Sequence, residues 1–395
     1  MPCDRSLGPE SIFLFFIPSF LCQTHLILLL LYKVDRLRSI FYSQTDLQAM
    51  NLTIFSGLLL ISAGAFSAGS FSIPFGMVRN WKWETYWFVY SFGAYILFPI
   101  LALLVFVPGF VGIYKTVPSS LLMKVFLLGA VYGIGNLSFG LSLRYLGISL
   151  GYSLSLGLIL ALGTLIPPVL DGRLRVMIDS SGGNVLIAGV IIACIGIAVS
   201  GIAGYLKDKL PGRLAKDEEK SEFNFVKGIL AAILVGITGS AMALGMEQGQ
   251  PVADIFRKAG TDPLFTTVPV MLILLSGTLV TTIIWCLVLG LRERSLHEYL
   301  RASESKLAAN YIFSLAAGML WFLQFIFFSM GKSKMGPFTF TSWGILVGLT
   351  IVVATLWGIY RKEWKGAPVK IYAAMIAAMV IIIISSYLIG ISGSV

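Results

Sequence analysis

The chain has 395 residues, of which 57% are hydrophobic and 12% charged, and its mean hydropathy is +0.88. About a quarter of a soluble domain is charged, so a soluble fold is excluded, and helix-length apolar runs in place of ~10-residue alternating strands argue against a β-barrel. The net charge of +10 reads as basic loops anchoring a membrane protein, with no nucleic acid as partner.

Residues 1–50 form an N-terminal extension unlike the rest. Ser11 to Tyr32 is apolar and is followed by Lys33, Arg36 and Arg38. Three readings stand: an extra transmembrane helix, a signal-like segment, or a start placed too early, with Met50 opening the first span. The signal reading fits poorly, because no A-x-A-like site follows and the charge lies on the wrong side. The stretch MNLTIFSGLLL begins as a first transmembrane segment does, which favours the early start.

From there ten spans are expected, near 51–77, 85–108, 120–143, 147–170, 184–205, 227–246, 264–289, 307–329, 338–360 and 370–391. Between the first two, FSIPFGMVRNWKWETYW carries Trp81, Trp83 and Trp87, which suit an interfacial belt. Glu84 opens the second span, where a helix dipole or proton coupling explains an acid equally well. Residues 129 to 172 hold two spans, with Arg144 at their junction and Asp171 as a turn residue. The spacings Gly129/Gly133 and Gly147/Gly151 allow close helix approach, because packing drives helix association in lipid. Tyr132 and Asn136 stand four apart on one helical face.

The charged stretch from Lys207 to Lys227 reads as a solvated linker. It divides the chain into a first five-span repeat, 51–205, a linker, 206–226, and a second repeat, 227–395. Five is odd, so two such copies must be inverted, a transporter device with its substrate site between them. Gly129 and Gly147 are 18 apart, as are Gly318 and Gly336. Tyr132 and Asn136 follow the first glycine of one pair; Trp321, Gln324 and Phe325 follow that of the other. Seventeen Lys and Arg lie in loops after odd spans and eight after even ones, which places the linker in the cytoplasm. Glu247, in MEQGQP, is a second coupling candidate.

Enzyme signatures are missing. There is no Walker A sequence and no G-x-S-x-G. Cys3, Cys22, Cys194 and Cys286 have no metal spacing, and His25 and His297 lie far apart. Neither a metal nor another cofactor is expected. The polar candidates instead match a sugar. Amide and phenol groups pair its hydroxyls, which cost roughly 1–3 kcal/mol each if left buried and unpaired, and an aromatic ring covers its C–H face. The competing reading makes Asn136 and Gln324 interhelical glue, worth ~0.6 kcal/mol per bond.

Several stretches resemble the L-rhamnose–proton symporter family of the drug/metabolite transporter superfamily: WKWETYW after PF, GAVYGIGNLSFGLSLRYLGISLG, GTLIPP, GMLWFLQFIFFSMG, and SW followed later by RKEW. They run from about residue 57 to 364. The resemblance implies ten helices in two inverted repeats and bacterial inner-membrane import of a 6-deoxy sugar with protons. Its motifs fall on Trp83, Glu84, Gly135, Asn136, Arg144, Tyr145, Trp321, Gln324, Ser342, Trp343, Glu363 and Trp364. Phe139, Phe325 or Phe328 would face the sugar's methyl group. The family pattern is richer in Lys where Gly76 and Met77 stand, and has a small residue and His where Gly331 and Lys332 stand. The expected substrate site is Tyr132, Asn136, Arg144, Trp321, Gln324 and Phe325, with Glu84 or Glu247 coupling protons. An exporter or facilitator of another metabolite is the alternative on the same scaffold; a non-transporting membrane sensor is the alternative of another class.

Overall fold

Apolar runs with few charges form helices because only a helix satisfies its own backbone in lipid, and helices make up all regular structure among the described residues. The computed structural model describes residues 44–170, 172, 175, 178–179, 182–208, 224–300, 306–335 and 342–392. Residues 1–43, most of the linker, Asp171 and Gly336 lie outside them. The chain divides into two units, Met1–Ser56 and Gly57–Val395. In the first, the described residues are the opening turns of α1. All the geometry below belongs to the second.

The helices are α1 (Gln44–Ser70), α2 (Trp83–Phe106), the short α3 (Phe110–Tyr114), α4 (Ser119–Leu146), α5 (Ile148–Leu170), α6 (Gly183–Asp208), α7 (Phe225–Gln248), the short α8 (Gln250–Lys258), α9 (Thr267–Arg292), α10 (Leu307–Lys334), α11 (Ser342–Tyr360) and α12 (Val369–Ile391). Among the described residues, nine helices are long and apolar enough to cross a membrane. The expected count was ten. The fourth expected span is the 23-residue α5, of which Ile148–Leu162 is an apolar stretch among the described residues. Large apolar side chains such as Leu104, Val131, Ile195, Leu230, Ile237 and Ile284 are exposed along these helices. Such a surface suits lipid and would be an aggregation hazard in water. The chain is a multi-pass membrane protein.

Glycine sets one close crossing. A Cβ on Gly129 would lie 1.8 Å from the Leu274 carbonyl oxygen, and one on Gly277 2.0 Å from that of Phe126. Helices α4 and α9 therefore touch backbone to backbone. Thr278 Oγ1 and Thr281 Oγ1 donate across the contact to Gly129 O and Ala130 O, at 2.9 and 2.7 Å. The Gly129/Gly133 spacing thus works as expected. Gly147 does not: it ends α4 with φ +80°, a conformation that glycine adopts without strain. Just beyond it, the Glu363 carboxylate accepts from Ile148 N and Ser149 N at 2.8 and 3.1 Å. An anion so satisfies the orphan N–H groups that open α5.

Candidate functional site

Helix α2 is interrupted. Gly93–Leu97 is a π-helical turn, closed by Phe98 N donating to Gly93 O. Pro99 is the local cause. It lacks the N–H that would reach the Tyr95 carbonyl, and its ring crowds that oxygen. The wider turn carries Tyr95, fully buried, whose phenol donates to Asn136 Oδ1 at 2.5 Å. Its ring also stands edge-on to Trp321, with centroids 5.3 Å apart. One phenol from α2 therefore braces the amide of α4 and the indole of α10. The only outward signal for Tyr95 is the proline four residues on, and the sequence reading missed it.

Asn136, 4% exposed, also lies 3.4 Å from the Tyr132 phenol through its Nδ2. The expected shared face is present. The glue reading is present too, since the Tyr95 bond ties α4 to α2. On α10, Trp321 packs edge-on against Phe325 at 5.0 Å. Gln324 Nε2 donates back to Trp321 O at 2.8 Å.

Tyr132, Asn136, Trp321, Gln324 and Phe325 all line one central cavity of about 530 Å³, together with Phe139 and Phe328. Tyr152 lines it as well and donates to Ala68 O at 2.6 Å, satisfying one of the last carbonyls of α1. Glu247, Gln250 and Lys332 line the cavity and are exposed. They sit at the end of α7, the start of α8 and the last turn of α10. The α4 residues of the cavity precede Gly140, and α7 starts beside the linker, so this mouth lies at the end of the bundle away from the linker.

Arg144 and Glu84 are not in that cavity. Both line a separate cleft of about 890 Å³ near the linker end, with Lys82, Lys227 and Arg292. The sequence reading grouped Arg144 with Asn136. Eight residues, about 12 Å of helix, separate them along α4. Glu84, 4% exposed, sits in the first turn of α2 and accepts from Ser295 Oγ at 2.6 Å. Beside it Glu298 accepts from Lys82 N and Thr85 Oγ1, at 2.8 and 2.7 Å. Burial, more than the neighbouring Cys286 and Glu84, pushes the adjacent Tyr299 phenol above its ordinary range, so it stays neutral there. The expected tryptophan belt is also corrected. Trp81, Trp83 and Trp87 are buried, with Trp83 and Trp87 stacked at 4.9 Å. Their N-terminal end of α2 is covered by the Leu296–Tyr299 turn, to which Trp81 Nε1 donates at Glu298 O.

Fold and cavity together define the class: a multi-pass helical membrane protein built around a central chamber of solute size. The family described as L-rhamnose-proton symport protein (RhaT) matches residues 50–394, and the chain belongs to it. The L-rhamnose-proton symporter of Yersinia pestis (strain Pestoides F) is 31% identical over 344 residues, which cover 86% of this chain and 98% of that protein. The symporter of Citrobacter koseri matches over the same shares of both chains at the same identity. These relatives are named as transporters, not as enzymes.

Proposed function

We propose that this protein imports L-rhamnose, or a closely related 6-deoxy sugar, together with protons across the bacterial inner membrane. The observation that carries the reading is the meeting of Asn136, Tyr132, Gln324 and Trp321 in one chamber. Its volume lies within the roughly 300–1,000 Å³ of small-molecule sites. Two amides and a phenol pair hydroxyls, Trp321 covers a C–H face, and Phe139, Phe325 and Phe328 receive the methyl group. Similarity to proteins named as L-rhamnose-proton symporters points to the same solute.

The chain is read as ten spans in two inverted five-helix repeats, 51–205 and 227–395, joined by the linker 206–226, after an N-terminal extension, 1–50. The chamber is lined by residues of the third span of each half, α4 and α10, which supports that reading. Glu247 is the favoured coupling group, because it shares the chamber with the sugar groups. Glu84 faces the other cleft. A carboxylate that takes a proton on one side and releases it on the other links sugar movement to the gradient.

Uptake of labelled L-rhamnose into proteoliposomes tests this. Accumulation with an imposed proton gradient, lost on adding a protonophore, is the expected result. Uptake that ignores the gradient would make the protein a facilitator, and no uptake by correctly inserted protein would reject the substrate.

A further inference from the structure

The two chambers lie end to end along α4. Asn136 and Phe139 line the central cavity, and Leu141 and Arg144 line the linker-end cleft. Between them stands Gly140, and the Trp87 ring fills the space a side chain would need: a Cβ there would lie 2.4 Å from Trp87 Cη2. Trp87 is 1% exposed and packs on Phe75 and Tyr90. The ring lines neither chamber; it packs on α4 at the point where the residues lining one give way to those lining the other. Two polar groups at this boundary are incompletely used. Trp87 Nε1 finds no acceptor among the described residues. Glu84, nine-tenths buried, accepts one hydrogen bond there, from Ser295.

We propose that the linker-end cleft is a second subsite for the transported polyol, reached from the central cavity when Trp87 swings off Gly140. Glu84 and Arg144 supply an acceptor and donors for hydroxyls, and Trp83 and Tyr86 supply rings for a C–H face, so the cleft repeats the chemistry of the first chamber. A buried carboxylate with acceptor capacity left over is what a hydroxyl-rich solute would use. The identity of the solute rests on the function proposed above; the gate does not.

The test uses full-length protein with Cys3, Cys22, Cys194 and Cys286 replaced, in vesicles with the linker side outward and a membrane-impermeant maleimide. For the gate, Ala243→Cys reports from the central cavity. Trp87→Ala, or the milder Trp87→Leu if the first does not fold, is expected to raise its labelling rate from the linker side at least tenfold. An unchanged rate in a folded variant overturns the gate. For the subsite, Leu141→Cys reports from the cleft. Saturating L-rhamnose is expected to slow its labelling at least threefold, and to do so equally in the Asn136→Ala background. Protection that disappears with Asn136→Ala would be a movement driven from the central site and overturns the subsite. Protection of Ala243→Cys but never of Leu141→Cys also overturns it while leaving the transport reading intact. Protection of neither would reject L-rhamnose as the solute.

Discussion

Asn136 serves two partners at once, a buried phenol behind it and the cavity in front. Asn136→Ala removes the amide and strands the Tyr95 hydroxyl, at a cost of about 1–3 kcal/mol. Uptake should be abolished while membrane abundance is maintained; a parallel fall in abundance would mean that the side chain acts only as glue. Tyr95→Phe separates the roles more finely, because it keeps the ring against Trp321 and removes only the brace. Losing about 1 kcal/mol of orientation should weaken sugar affinity roughly fivefold, with the maximal transport rate retained. Concentration dependence of initial uptake gives both quantities, and unchanged affinity would deny Tyr95 a positioning role. Glu247→Gln keeps size and polarity but cannot carry a proton. It should lose uphill accumulation and keep exchange of labelled for unlabelled sugar, whereas accumulation that survives would move the coupling elsewhere.

At the scale of helices, the α4–α9 contact leaves no room for a side chain. Gly277→Ala would put a methyl group 2.0 Å from the Phe126 carbonyl oxygen, so the helices must part and the two threonine bonds lengthen. The detergent-solubilised variant should melt several degrees below the parent. Thr278→Val, which removes a bond worth ~0.6 kcal/mol, should fall less; equal losses would mean that the threonine bonds, rather than backbone contact, hold the crossing together. This crossing was legible, because small residues four apart in an apolar run have few other uses. Gly147 has the same spacing from Gly151 and serves a turn instead, which spacing alone does not distinguish. The three tryptophans were misplaced for a related reason. Aromatic rings beside charges describe both a lipid interface and a covered helix start, and only the Leu296–Tyr299 turn, over 200 residues away, decides between them. Tyr95 escaped because a π-helical turn changes which residues share a face, so counting by threes and fours points it elsewhere.

Across the whole molecule, the central cavity and the basic charge together set an orientation that can be measured. Helical spacing put Tyr132 with Asn136 on one helix face and Trp321 with Gln324 and Phe325 on another, and all five line one chamber. Spacing could not show which end is open, since that depends on how the helices lean. The open mouth holds Glu247, Gln250 and Lys332; Lys227 lines the cleft at the linker end. Loops at the linker end carry the excess of Lys and Arg, and such loops stay in the cytoplasm. With the linker in the cytoplasm, as the charge bias predicts, the mouth would face outward and receive sugar from there. In cells expressing single-cysteine variants, Gln250→Cys should react with an impermeant maleimide added outside, and L-rhamnose should slow that reaction. Lys227→Cys should react only after the membrane is opened. The reverse pattern would place the linker outside and turn the proposed importer's open chamber toward the cytoplasm. Sugar would then enter it from within, the geometry expected of an exporter on the same scaffold.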